Sequence, residues 1–252
     1  LGCALSVVDR LDTLASLFAV GEAPTGSRDP FALRRSTQGL VKIVLGRGLH
    51  LPLDKLLEKA LDIVVGQGVR LASPEPERLQ ATLEFLRGRV RFLLEQTGQR
   101  YDLINAALAA GNLDPLDVRL RVAALESLKE DANFTAISIS FKRIRKILAQ
   151  AAEDGPVDSA LLRENAERAL YEHMKKARER LADLMERRDY AEALRALAAL
   201  RTPIDLFFDE ILVMDRDPAV RRNRVGLLRA LAALFLSLAD FSEVVVEGEA
   251  AA

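Results

Sequence analysis

Tryptophan is absent from this chain, cysteine occurs once, histidine twice, and aromatic residues make up only 5% of it. Each shortage removes a class of fold or function. A single cysteine, Cys3, excludes an internal disulfide framework and fits a reducing compartment. His50 and His173 lie far apart, and neither has a second ligand at metal spacing, so no metal ligand is assigned. Asp9 and Asp12 could be half a metal site, but no histidine stands near them in sequence. No strand-borne nucleophile elbow is present, and no catalytic residue is assigned. Gly46-Arg47-Gly48 and Gly66-Gln67-Gly68 lack the third glycine and preceding strand of a dinucleotide fingerprint, and read as helix C-caps. No uninterrupted apolar run reaches the length of a membrane span, so no membrane partner is expected. Charge of one sign is missing too. A net charge of −1 leaves no whole-chain basic footprint, so any site for an anionic partner has to be local.

What remains is a sequence of 252 residues, half apolar and 29% charged, long enough for a substantial core. Period-two alternation is confined to short runs such as Val244 to Val246. Apolar residues recur instead at spacings of three and four, with Ala, Leu, Arg and Glu dominant, which predicts an all-α fold. The opening, LGCALSVVDRLDTLASLF, has no initiator Met and no basic n-region, and reads as an amphipathic helix entered part-way. A piece of a longer protein is therefore expected.

Punctuation places the helices. Gly21 to Pro30 is a clear break, with Asp29-Pro30 capping the helix that ends near Gly46 and Gly48. Further helices are expected from Leu53 to Val65, from Ser73-Pro74 through Glu95, from Tyr101 to Ala110, and from Asp114-Pro115 to Lys129. Phe134 to Ala152 reads as a strong helix stopped by Asp154-Gly155-Pro156, and three or four more run from Asp158 to Phe241. In the stretch Thr202 to Arg229, Thr202 and Pro203 read as an N-cap and first turn, with Asp205 answering the cap. Phe207, Phe208, Ile211 and Leu212 supply that helix's apolar face, and Asp217-Pro218 starts the next.

Two basic loci stand out. Along AISISFKRIRKILAQA, Ile137, Phe141, Ile144 and Leu148 form one stripe, while Lys142, Arg143, Arg145 and Lys146 fill the rest of the circumference without an intervening acid. Exposed faces elsewhere mix signs, as in Arg178-Glu179-Arg180, so phosphate neutralisation competes here with a solvated face. The second locus is Arg221, Arg222 and Arg224 with Asn223. Arginines at a helix start oppose the macrodipole. Their forks suit phosphates or base edges. A salt-bridge set with Asp209, Asp215 or Asp217 explains them equally well, and local physics leaves the two readings open.

Two passages together resemble the C-terminal half of the bacterial glycyl-tRNA synthetase β subunit. The first is DRLDTLASLFAVGEAPTGSRDPFALRR, Asp9 to Arg35, where the family has a D-K/R-x-D-T-L helix and a P-T-G-S-K/R-D-P-F-A-L-R-R loop. The second is KRIRKIL, Lys142 to Leu148, followed by PIDLFFDEILVMDRDPAVRRNRVGLL. The order of helices is similar to the DALR-type anticodon-binding domain, also found in arginyl-tRNA synthetases. The two passages are specific; the middle, from about Leu49 to Ala132, is supported by its position between them.

The resemblance implies four segments: 1–22, the end of an HD-like helical domain; 23–135, a loop and helical linker region; 136–245, the DALR-like domain; and 246–252, a frayed tail. It implies an α₂β₂ glycine-tRNA ligase of the cytoplasm whose α subunit uses ATP and magnesium, with no cofactor in this segment. Partners are then glycine tRNA and the α subunit. The tRNA contacts would be Lys142, Arg143, Arg145, Lys146, Arg221, Arg222 and Arg224, with Arg34, Arg35 and Asn223 as secondary candidates. Phe207, Phe208 and Ile211 would be core. Asp9 would match the last aspartate of an HD motif whose other elements this chain lacks, so neither metal nor phosphohydrolase activity is assigned to it. The rival readings are a helical scaffold for a protein partner and a truncated HD-type phosphohydrolase relative.

Overall fold

A computed structural model describes residues 1–111, 113–152 and 155–246. Asp154, expected to help stop a helix, and residues 247–252 of the expected frayed tail lie outside them. The order is α1 (Gly2–Ala19), α2 (Leu33–Arg47), α3 (Leu53–Gly66), α4 (Glu75–Glu95), α5 (Tyr101–Leu108), α6 (Pro115–Ser127), α7 (Ala132–Gln150), α8 (Asn165–Glu186), α9 (Tyr190–Ala198), α10 (Arg201–Glu210) and α11 (Pro218–Leu236). Short 3₁₀ turns occupy Ser159–Leu161 and Phe241–Glu243. The fold is all-α, and the described residues contain no strand: Val244 to Val246, despite its alternation, follows the last 3₁₀ turn as irregular chain.

The chain divides into two compact units. The first takes residues 1–104 with 113–119, the second 105–111 with 120–246. Unit 2 thus includes residues 120–135, which the sequence reading places in the linker region.

In unit 1, α1 packs on α2 and α3, and α2 on α4. Val7, Leu11, Leu14 and Phe18 recur every three or four residues and are buried, which is why this segment forms an amphipathic helix. Phe18 meets Phe85 with ring centroids 5.3 Å apart. The Asp29 carboxylate accepts from the backbone N–H groups of Leu33 and Arg34 at 2.8 and 3.1 Å, so it satisfies two orphan donors of α2 as expected. Gly48, at φ +62°, closes that helix in the left-handed conformation that glycine adopts without a Cβ clash. Asp114 caps α6 through Leu116 N–H at 2.9 Å, and its other oxygen lies 3.0 Å from His50 Nδ1.

In unit 2, α7 and α8 each pack against α9, α10 and α11, and a phenylalanine cluster joins α7, α11 and the last 3₁₀ turn. Phe141 stacks at 5.5 Å on Phe235, which meets Phe241 edge-on at 5.2 Å, and Phe134 closes the group at 5.8 Å from Phe241. Arg121 is buried, with its guanidinium donating to the carbonyls of Ser237 and Leu238 and lying 4.8 Å from the Tyr190 ring centre. Asp131 caps α7 by accepting from Asn133 and Phe134, and Asp217 caps α11 ahead of Pro218.

The start of α10 differs from expectation. The helix begins at Arg201 on the preceding turn, without a side-chain cap, and Asp205 pairs with Arg201 at 3.5 Å instead. The reason is continuity: Leu200 is already in a helical conformation at the end of α9, so no capping turn intervenes. Leu212 also departs from its expected core role and is 70% exposed. The helix ends at Glu210 and Ile211 turns extended, so Leu212 no longer follows the helical stripe. Among the described residues, no helix is long and apolar enough to cross a membrane.

Candidate nucleic-acid interface

α7 carries its cations on more than one side. Its buried stripe of Phe134, Ile137, Ser138, Phe141 and Ile144 fixes the helix's rotation. Arg145 then faces α11, while Arg143 lies over the half-buried Phe208 ring of α10, 4.1 Å from its centre. Phe208 is therefore only partly core: it is the platform on which Arg143 rests. Lys146 is exposed and Lys142 half-buried.

The arginines of α11 separate in the same way. Arg222 and Arg224 are two residues apart, hence about 200° apart around a helix. Arg224 points inward and is only 6% exposed. Its Nε donates to Glu167 Oε1 at 2.5 Å, and Nη1 donates to Asp215 Oδ2 at 2.8 Å and to the Leu212 carbonyl at 2.9 Å. Glu167 is buried as well and receives the N–H groups of Arg163 and Glu164 at 2.7 and 2.9 Å, closing the capping box of α8. Arg224 therefore holds α8, α11 and the loop after α10 together, as the salt-bridge alternative requires. Arg221 is half-buried and donates to the Asp215 carbonyl at 2.9 Å.

Asn223 is buried and pins the chain before α8. Its Nδ2 donates to the Asp158 carbonyl at 3.0 Å, and its Oδ1 accepts from Asp158 N–H at 2.7 Å. Gly226, one turn on, allows the same segment to lie against α11. A Cβ there would sit 2.9 Å from the Gly155 carbonyl oxygen, inside van der Waals contact. Asn223 and Gly226 are fixings for the 155–158 segment.

Arg222 is exposed and makes no hydrogen bond or ion pair among the described residues. Arg229 lies seven residues further, which brings it back to the same side of α11. There, Arg145, Leu148, Arg229, Ala232 and Ala233 line a cavity of about 650 Å³ between α7 and α11. Alanines keep its floor low, and arginines stand at its sides. Arg145 is loosely placed 3.9 Å from Asp240, with half its side chain exposed. Arg34 and Arg35 belong to the other unit, where Arg34 donates to the Gly26 carbonyl at 2.8 Å and Arg35 is exposed.

The geometry brings together Arg145 and Arg229 at one cavity, leaves Arg222 exposed on the same side of α11 two turns earlier, and turns Arg224 and Asn223 inward. Sequence reasoning overlooked Arg229, although its seven-residue spacing from Arg222 was a usable signal. It also used Arg178 as an example of mixed-sign surface. Tyr171, Lys175 and Arg178 nevertheless share a helical stripe with no acid, beside the stripe of Glu172 and Glu179.

The carboxyl groups of Asp215 and Asp217 are held below the ordinary aspartate pKa, so each stays ionised to lower pH. For Asp215 the main cause is the hydrogen bond from Asp217 N–H, followed by Arg224; for Asp217 it is the hydrogen bond from Ala219 N–H, with Arg163 contributing. A depressed carboxylate stabilises the fold above its unfolded-state value, and the contribution disappears as pH falls through the folded value. Melting followed across an acid series should show this loss below the ordinary aspartate range, and Asp217→Asn should flatten that part of the curve.

Among the described residues, no group of three or more His, Cys, Asp or Glu is placed to hold a metal ion. Asp9 is exposed on α1, and its backbone carbonyl accepts from the Thr13 hydroxyl.

Comparison with known proteins covers both parts of the chain. A family model described as glycyl-tRNA synthetase beta subunit matches residues 1–109, and one described as DALR anticodon binding domain matches residues 137–245. A glycine–tRNA ligase beta subunit of Anaeromyxobacter dehalogenans is 42% identical over 254 aligned positions, covering 100% of this chain and 36% of that protein. Proteins of the same name from Acidobacterium capsulatum and Moorella thermoacetica are 40% and 39% identical, each over 97% of this chain and 35% of their own length. The chain thus spans little more than a third of the curated relatives it matches. With one family model on its first 109 residues, the other on 137–245, and this identity running throughout, the chain belongs to the glycyl-tRNA synthetase β-subunit family and carries its DALR anticodon-binding domain.

Proposed function

We propose that this chain recognises the anticodon arm of glycine tRNA for a glycyl-tRNA synthetase, and that its own residues carry no chemistry. In this reading the α subunit, in an α₂β₂ assembly in the cytoplasm, binds ATP and magnesium and joins glycine to the tRNA. Residues 136–245 act as the RNA-gripping domain. The observation that carries the reading is the cationic side of α11, where Arg229 stands with Arg145 of α7 at a cavity with a small-residue floor and the exposed Arg222 lies two turns earlier on the same side of the helix. Fixed arginines on rigid helices neutralise phosphates and orient a stem, while sequence is read from splayed bases. Arg143, Lys142 and Lys146 would extend the field around α7. Arg221 and Arg224 act by holding the loop before α11, and Arg34 and Arg35 remain secondary candidates in the other unit.

The test is salt-dependent tRNA binding by the α and β subunits together. Arg145→Gln with Arg222→Gln should weaken binding at least about tenfold and reduce the log–log salt slope by about two, since each lost phosphate contact removes about one. Lys55→Gln, at an exposed lysine paired with Glu58 in unit 1, serves as the control and should leave both unchanged. An unaltered affinity and slope in the folded double variant would move the tRNA off this side of the bundle.

A further inference from the structure

A second cavity opens between α8 and α11, and Arg229 lines it too. Tyr171, Lys175 and Arg178 form its α8 wall, Gly226 and Arg229 its α11 wall, and the backbone of residues 155–157 its roof. Its volume is about 470 Å³, within the range of roughly 300–1,000 Å³ typical of small-ligand sites.

Three observations narrow the ligand. The first is charge: Lys175, Arg178 and Arg229 line the cavity, and no carboxylate among the described residues does. Lys175 lies 3.5 Å from the exposed Glu172, and Arg178 has no hydrogen bond or ion pair among the described residues. The second is the aromatic face. Tyr171 is half-buried on an otherwise aromatic-poor surface, with Lys175 Nζ 5.7 Å from its ring centre. The third is the roof, held down by both amide bonds of Asn223 and by the close approach that Gly226 permits. A fixed backbone edge beside an aromatic face can read the edge of a planar group.

A planar ring to stack on, cations for phosphate and a polar backbone edge together match one unpaired nucleotide. An acidic peptide would use the cations and leave the tyrosine face unexplained. We propose that this cavity is a single-nucleotide pocket: a base flipped out of an RNA loop stacks on Tyr171, and its flanking phosphate lies between Lys175, Arg178 and Arg229. This rests on the tRNA reading above and adds to it a place where a particular base is held. Arg229, common to both cavities, would link the pocket to the backbone-gripping side.

The experiment uses the α and β subunits together, with tRNA carrying 2-aminopurine at successive anticodon-loop positions. Base–aromatic stacking of ordinary strength predicts that Tyr171→Ala weakens binding about tenfold, while Tyr171→Phe stays within about twofold. Fluorescence quenching at one loop position should appear with the wild type and with Tyr171→Phe, and vanish with Tyr171→Ala. Arg178→Gln, at an exposed side chain, should lower the salt slope by about one, and provides the test should Tyr171→Ala reduce helicity. Wild-type affinity and quenching in Tyr171→Ala, or an unchanged slope in Arg178→Gln, would overturn the pocket while leaving the tRNA reading intact. Failure of the wild-type protein to bind tRNA would overturn both.

Discussion

Arg224→Ala should lower stability by about 3 kcal/mol, because removing one partner of a buried ion pair strands the other charge. For a chain of this size that corresponds to a fall of roughly 10 °C in melting temperature. The stranded group is Glu167, almost fully buried and accepting from Arg224 and two backbone N–H groups. Those two N–H groups remain after the substitution; the countercharge does not. Arg222→Ala, two residues away on the exposed side, should change stability by less than about 0.5 kcal/mol and act on tRNA binding instead. Calorimetry and tRNA affinity measured on both variants separate the roles. If Arg224→Ala melts like the wild type, the Glu167–Arg224 pair does not hold α8 to α11. The joint change Arg224→Met with Glu167→Leu should recover much of the lost stability, since an apolar pair of similar volume can replace a buried ion pair.

Gly226→Val should be damaging for a steric reason, without altering charge. In an exposed helix interior, glycine is about 1 kcal/mol worse than alanine, so replacing it would ordinarily help. Here a Cβ meets the Gly155 carbonyl oxygen at 2.9 Å and the Pro156 backbone at 3.4 Å. A valine has to lift the 155–158 segment or shift α11, with a loss of about 1–3 kcal/mol typical of overpacking. Lifting the roof also opens the cavity lined by Tyr171 and Arg178, so tRNA affinity should fall about tenfold, the effect expected from loss of one stacked base. Melting curves and binding isotherms of Gly226→Ala and Gly226→Val check this. A gain in stability in both would mean that the segment does not rest on α11 in solution.

Much of the fold was legible because its signals are local. Asp29, Asp114 and Asp217 each accept from backbone N–H groups at the start of a helix, as their positions before α2, α6 and α11 imply. The register of α7 followed from Ile137, Phe141 and Ile144, all buried. The direction taken by each arginine was less accessible. Arg224's partner Glu167 lies 57 residues away, and no local spacing discloses it. Even so, Arg224 shares its side of α11 with Leu227, Leu228 and Leu231, all fully buried, whereas Arg222 shares its side with Gly226 and Arg229. Applying the stripe argument to the arginines as strictly as to the leucines would have divided the cluster. The exposure of Leu212 had no such clue, since it depends on α10 stopping at Glu210.

The placement of Arg222 and Arg229 on one uninterrupted helix has a metric consequence. At 1.5 Å per residue their Cα atoms stand about 10.5 Å apart along the axis. Neither anchor can slide relative to the other without breaking α11. On the tRNA reading proposed above, the pair would act as a ruler, rewarding a strand whose charges fall at that interval and penalising one that is stretched or compressed. A loop folded to the wrong curvature would be rejected on its backbone, before any base is inspected.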